Sequence, residues 1–344
     1  MPRFRRAGAA AALLAAAALV ISACSSSAPT SAGSGAPEAS DTFPITITHA
    51  LGTTTITKKP ERVATVSWAN HEVPLALGVV PVGMSKATWG DDDGDGVLPW
   101  VKDKLDALGA KTPVLFDETD SIDFEAVADT NPDVILAAYS GLTQEDYDTL
   151  SKIAPTIAYP TAAWGTSWQD MIRYDAKALG LANEGDALIE QLEGDLKSAL
   201  DAHAGLAEKK IMFAYIDPTK LSTVGFYTTH DPRVGFLTEL GLPTPAIVES
   251  ESAKTEGFYT EVSAEQADSF ADVDVIVTYG DDTTLPLLQA DPLLSKIPAI
   301  AAGRVVVLPN NTPLAASTNP TPLSIPWGIS DYFDLISKAA SAGA

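Results

Sequence analysis

The chain has almost no cysteine: Cys24 is the one example among 344 residues. That excludes an internal disulfide framework and any cysteine-built metal cluster. Histidine is nearly as scarce, with four residues, and positive charge is short as well. The 22 Lys+Arg stand against 45 Asp+Glu, a formal net charge of −23. Nucleic-acid binding needs clustered cations to neutralise phosphates, so that class is excluded. No polybasic patch is available for an anionic lipid surface either. The acidity favours solubility and disfavours a highly anionic ligand unless local charge overrides it. Beyond residue 21 no apolar run is long enough to cross a bilayer. The sequence also lacks a G-x-S-x-G, an H-E-x-x-H and a P-loop pattern.

What is present begins with an address. Arg3, Arg5 and Arg6 precede an Ala/Leu-rich run over 7–21, too short for an ordinary membrane helix and suited to a signal segment. Ser22 and Ala23 before Cys24 resemble a bacterial lipobox, in which residues 1–23 are removed and Cys24 is lipidated. The alternative is cleavage nearby by a conventional peptidase, with Cys24 incidental. Residues 24–42, rich in Ser, Ala, Gly and Pro, read as a flexible tether with a reach of about 20–25 Å. The expected location is extracytoplasmic, anchored to the cell membrane through Cys24.

The body is organised around residues 183–206. Leu188, Leu192, Leu196 and Leu200 recur every four residues, with Ile189, Ala199 and Ala202 beside them, so one face is apolar. Asn183 suits the N-cap and Gly205 the stop. A helix of that length spans roughly 30–35 Å, and it reads as a strut between two lobes with a cleft between them. The alternative is a surface helix of a single α/β domain. A β-hairpin is expected over 45–49 and 54–57. Strands are expected over 63–66, 78–84, 114–116, 134–138 and 156–159 in the first lobe (43–182). In the second (207–344) they fall at 210–216, 221–224, 273–278 and 304–308, with a helix over 235–240. Alternation with helical stretches argues two α/β lobes with largely parallel central sheets. A weak internal repeat agrees: FEAVADTNPDVILAAYSG (124–141) parallels EQADSFADVDVIVTYGDD (265–282), each followed by Leu-Ser-Lys-Ile.

Several segments carry a family resemblance. LGTTTITKKPERVATVSWANHEVPLALGVVPVGMSK, FEAVADTNPDVILAAYSG, LSKIAPTIAYP and DPLLSKIPAIAAGRVVVLP resemble the ferric-siderophore substrate-binding lipoproteins of ABC importers. The similarity runs from about Ile45 to the C-terminus. It implies two α/β lobes joined by one long helix, little hinge closure, and a monomer that delivers a chelate to an ABC permease dimer. Iron would arrive already chelated, with no cofactor and no protein ligand to the metal.

In α/β lobes, ligands sit at the carboxyl ends of strands. That rule selects Trp68, Trp89, Tyr139 and Trp164 in the first lobe, and Tyr215, Tyr227, Arg233 and Tyr279 in the second. Aromatic faces suit the partly apolar shell of a siderophore, and Arg233 offers a fork of donors to the oxygens around iron. Cations near the cleft are few (Lys86, Arg233), which favours a neutral or cationic hydroxamate over an anionic catecholate or citrate complex. For each aromatic the alternative is core packing. The resemblance further implies one docking glutamate per lobe toward the permease, at Glu125 and Glu265; a carboxylate opening a helix would also be favourable by itself.

Other readings are weaker. Asp91, Asp93, Asp95 and Gly96 imitate a calcium loop, but Pro99 intrudes and position twelve is Lys102. Bare Zn or Mn binding would need converging histidines; His71 and His230, with Asp231, are the candidates. Haem or another metal chelate on the same scaffold is the runner-up. A surface-tethered hydrolase using Ser, His71 and Asp is the reading from a different class.

Overall fold

The computed structural model describes residues 42–342; the expected leader, Cys24 and the tether to residue 41 lie outside the described residues. The described chain opens with the antiparallel hairpin of β1 (Ile45–His49) and β2 (Gly52–Ile56), Ile45 opposite Ile56. Alternation decides its faces: Ile45, Ile47 and Ile56 are buried while Thr46 and Thr48 face water.

The first lobe then runs β3 (Val63–Thr65), α1 (Glu72–Ala76), β4 (Gly83–Ser85), α2 (Pro99–Ala107), β5 (Val114–Phe116), α3 (Phe124–Asp129), β6 (Val134–Leu136), α4 (Gln144–Ile153), β7 (Thr156–Ile157) and α5 (Trp168–Ala178). Its five strands lie in the order β5-β4-β3-β6-β7, every pair parallel. The chain moves outward from β3 through β4 to β5, then returns to β6 on the other side of β3. The loops after β3 and β6 therefore diverge at a topological switch point. The expected strand over 78–84 shrinks to Gly83–Ser85. Gly78, at φ +81°, turns the chain out of α1, and Pro81 has no N–H to give a ladder.

Helix α6 (Ala182–Ala202) is the strut. Its N-cap is Leu181 rather than Asn183, which lies inside the first turn. The helix ends before Gly205, which sits in a short 3₁₀ turn (Ala204–Leu206). The buried stripe is Ile189, Leu192, Leu196 and Ala199. Spacing by four drifts off a 3.6-residue turn, so Leu188 and Leu200 fall to the borders. Gly185 permits close approach to α5: a Cβ there would stand 2.6 Å from that of Ala176.

The second lobe comprises β8 (Ile211–Tyr215), β9 (Thr223–Tyr227), α7 (Pro232–Glu239), α8 (Ala246–Ser252), β10 (Tyr259–Ser263), β11 (Val275–Gly280), α9 (Thr284–Ala290), α10 (Pro298–Ala301), β12 (Val305–Pro309), α11 (Pro313–Ser317) and α12 (Ser324–Ala340). Its order is β10-β9-β8-β11-β12. Strands β8, β11 and β12 are parallel, whereas β9 is antiparallel to both neighbours. The reversed β9 makes this sheet mixed, and strand β10 at its edge was not expected from the sequence. The repeat holds at the level of topology: β6 and β11 each lie between the first and last strands of their lobes. Its preceding helix does not repeat fully, since residues 264–270 form 3₁₀ turns kinked at Gln266.

The lobes share a core. One apolar cluster runs from Trp168 and Met171 of α5 through α6 to Tyr332 and Phe333 of α12. A polar pin adds to it. Glu72, wholly buried on α1, accepts from Trp100 Nε1 (2.7 Å), the Leu323 N–H (3.0 Å) and the Thr321 hydroxyl. It thus ties α1 and α2 to the segment between α11 and α12.

Candidate functional site

Trp68 follows β3, and its loop adopts an unusual path. Ser67 and Ala69 both have φ of +63°, a region that non-glycine residues rarely enter. Buried Asn70 holds the loop. Its amide donates to the carbonyls of Val66 (2.7 Å) and Tyr139 (2.9 Å), and its oxygen accepts from the Tyr139 N–H (2.9 Å). One side chain thus couples the two loops of the switch point and sets Trp68 beside Tyr139. Trp164, at φ +60°, lies over Gly141, where a Cβ would come within 2.2 Å of the indole nitrogen. Its ring meets Tyr139 edge-on at 5.4 Å.

The second lobe supplies the opposite wall. Tyr279 lies near the end of β11 and meets Trp89 edge-on at 5.3 Å, while Trp89 lies 6.2 Å from Trp68. Arg233 opens α7 with a side chain only 15 % exposed. Asp231 holds it in a fork, Nε to Oδ1 at 2.8 Å and Nη2 to Oδ2 at 2.7 Å, and its guanidinium stacks 3.7 Å above the Tyr227 ring. Burial opposes the charge, but Asp231 overrides it and holds the Arg233 pKa above its ordinary value. Nη1 approaches the Tyr279 hydroxyl at 3.4 Å. Burial raises Tyr139 to about 12, so its phenol stays protonated at neutral pH, and its oxygen accepts from Asn319 at 3.1 Å.

Together Trp68, Trp89, Tyr139, Trp164, Arg233 and Tyr279 line a cavity of about 280 Å³ between the lobes, with Phe258 and Asn319. Of the eight residues singled out in the sequence, these six converge. Tyr227 does not line the cavity; it lies beneath Arg233 and supports it. Tyr215 does not join either: it is 47 % exposed at the end of β8, paired with Gly225 on the side of β9. Phe258 immediately precedes β10, so missing that strand hid it; Asn319, in the turn after α11, carries no local signal.

The histidines lie elsewhere. His71 is buried and burial lowers its pKa to about 4, leaving a neutral ring whose Nδ1 has no partner among the described residues. His230 lines a neighbouring cavity of about 420 Å³ that also receives Asp231 and Glu239. The large aromatics of that cavity, Trp168 and Phe236, are almost fully buried and present little face. Among the described residues, the group placed to hold a metal ion is Asp91, Asp93 and Asp95. Lys102 occupies it, with Nζ 2.8 Å from Asp93 and 2.6 Å from Asp95.

The family model for periplasmic binding proteins matches residues 63–312. The chain belongs to the periplasmic binding protein family. This binding protein is 50% identical to PiaA of Streptococcus pneumoniae TIGR4, solved in complex with ferrichrome; the match covers 86% of this chain and 98% of that one, with a TM-score of 0.82. It is 30% identical over 258 residues to the probable siderophore-binding lipoprotein YfiY of Bacillus subtilis (strain 168), 73% of this chain and 72% of that one. Similarity to the iron(3+)-hydroxamate-binding protein YxeB of the same organism is 24% over 288 residues, 82% and 83% of the two chains. The binding protein's α/β lobes with parallel central strands and its long helix fit this family over the matched residues.

Proposed function

We propose that the protein is an extracytoplasmic receptor that binds a ferric hydroxamate siderophore and delivers it to an ABC permease. The carrying observation is the interlobe cavity, walled by Trp68, Trp89, Tyr139 and Trp164 and closed by Arg233. Aromatic faces bury the apolar arms of a chelator. The guanidinium, already charged and fixed by Asp231, donates to the hydroxamate oxygens around iron. Iron is held by the chelator: the lining carries no carboxylate or imidazole, and Tyr139 keeps its proton. The ferrichrome complex of the 50% identical PiaA supports the hydroxamate class. Cys24 is the lipid attachment point in this reading, which the lipoprotein names of two relatives support.

Tryptophan-fluorescence titration tests the reading, using a ferric hydroxamate, a ferric catecholate, ferric citrate, haem and Zn²⁺, with iron-free chelators as controls. Saturable quenching by the ferric hydroxamate alone is expected. A response confined to haem or Zn²⁺ would overturn it, as would a protein side chain found coordinating the iron.

Docking to the permease falls to Glu125 and Glu265. Both are exposed, and both stand two residues after a capping side chain: Asp123 accepts from the Ala126 N–H, and Ser263 from the Glu265 N–H. Each follows the outermost strand of its sheet, β5 or β10, at the carboxyl edge. Glu125→Arg and Glu265→Arg are expected to leave siderophore affinity within about twofold and to abolish uptake in cells; unchanged uptake would remove the assignment.

A further inference from the structure

At about 280 Å³ the aromatic cavity is small for a whole ferric chelate, since pockets that bury such ligands run about 300–1,000 Å³. A second cavity of about 470 Å³ adjoins it and shares Trp68 and Trp164 as walls. Its other walls come from the loops after β3, β4, β5 and β6 and from α4; they set the polar side chains Ser67, Ser85, Lys86, Glu118, Ser121 and Asp146 beside the apolar Ile122 and Leu142. Of its four charged side chains, Asp120 is exposed to water, and two others already have partners. Asp146 accepts from the Thr143 N–H (3.0 Å) and hydroxyl (2.7 Å), and Lys86 leans 3.8 Å toward Asp117. Glu118 is different. Its Oε2 accepts from the Ser67 N–H at 2.8 Å, while Oε1 has no partner among the described residues. A carboxylate has about four acceptor sites, so this one keeps spare capacity beyond the Ser67 N–H and the nearby Ser85 hydroxyl.

Resting on the siderophore reading, we propose that this second cavity receives the part of the chelator not wrapped around iron. It selects an arm bearing N–H donors, an ammonium above all, and Glu118 is the residue that reads it. Three hydroxamates neutralise one ferric ion, so the net charge of such a complex is the charge of its arm. Lys86 is the one cation on this wall, against Glu118, Asp120 and Asp146. A citrate or catecholate chelate, which keeps negative charge, would face carboxylates at close range. Burial pushes Glu118 up to about 7, against the Ser67 N–H and a Ser85 hydroxyl that pull it down. An ammonium beside it favours the ionised form, so binding expels a proton near neutrality and strengthens as pH rises through 7.

The test compares dissociation constants of the wild type and Glu118→Gln at pH 6 and pH 8 for two ferric trihydroxamates. Ferrioxamine B is linear and carries an ammonium; ferrichrome is cyclic and neutral. Glutamine keeps an oxygen for the Ser67 N–H, so the Trp68 loop retains its anchor. The wild type is expected to bind ferrioxamine B about five- to tenfold more tightly at pH 8 than at pH 6. In Glu118→Gln that gain disappears and affinity at pH 8 drops about tenfold, while ferrichrome changes by less than about threefold. Equal loss for both chelates would show that Glu118 only holds the Trp68 loop, and no loss for either would remove it from recognition; both overturn the proposal. If ferrichrome binds and only the ferrioxamine B result fails, the siderophore reading survives. If neither chelate saturates the wild type, both fall.

Discussion

Arg233 and Asn70 act through geometry more than through charge or size. Arg233→Lys keeps the positive charge but loses the fork on Asp231 and the flat stack on Tyr227. We expect at least about a tenfold loss of ferric hydroxamate affinity, read by fluorescence titration, with the fold retained by circular dichroism. Asn70→Ala strands the Tyr139 N–H and frees the Trp68 loop from two carbonyl contacts. A buried unsatisfied group costs about 1–3 kcal/mol. Urea unfolding should report that loss, and titration a weaker site. In a Trp68→Ala background the affinity penalty of Asn70→Ala should shrink but persist in part, because Asn70 holds the Tyr139 loop as well as the Trp68 loop. The six converging cavity residues were legible one by one from strand ends, but Asn70 was not. Its importance comes from Tyr139, 69 positions away in sequence.

Helix α6 shows what periodicity settles at the scale of elements. A leucine every four residues identified the helix and its approximate apolar side. Which residues are buried depended on α5 and α12, which select the stripe from Ile189 to Ala199. Leu192→Ala is therefore expected to cost about 2–5 kcal/mol, and Leu188→Ala much less, measured by urea unfolding. Gly185→Val should cost about 1–3 kcal/mol by overpacking against Ala176. Strand β10 escaped notice because Tyr259–Ser263 is half-exposed at a sheet edge, without a buried alternation to mark it.

Across the whole molecule, Glu72 links the lobes and makes stability depend on pH. Burial pushes it up to about 7, against donors from Thr321, Trp100 and Leu323 that pull it down. Its folded pKa lies above the 4.5 of a free side chain. The folded protein therefore holds a proton between those values that the unfolded chain has released. The associated stability is full below about pH 4.5 and is lost as pH rises through about 7. It is on the order of 3 kcal/mol, and Glu118 is shifted in the same direction. Urea midpoints should fall between pH 5 and pH 8, and Glu72→Gln should flatten that slope; an unchanged slope would exclude Glu72 as its source. The continuous core through α5, α6 and α12 also opposes large lobe rotation, so small-angle scattering should show little change in radius of gyration on ligand binding.

Local sequence alone determined the α/β alternation, the strut, the repeat and the absence of cation-rich or cysteine-rich chemistry. Those properties live in periodicity and composition, which a chain carries whatever its tertiary contacts. Tertiary structure decided which aromatics face one another, since convergence depends on strand order and on the lobes' relative placement. It placed Tyr227 beneath Arg233, left Tyr215 outside, and brought in Phe258 and Asn319. It also filled the aspartate loop with Lys102 and left Glu118 with an unused oxygen at the cleft. The convergence at the cleft joins residues far apart in the chain, and even the short-range pairs of Lys102 with Asp93 and Asp95 and of Arg233 with Tyr227 depend on side-chain directions that periodicity and composition do not encode.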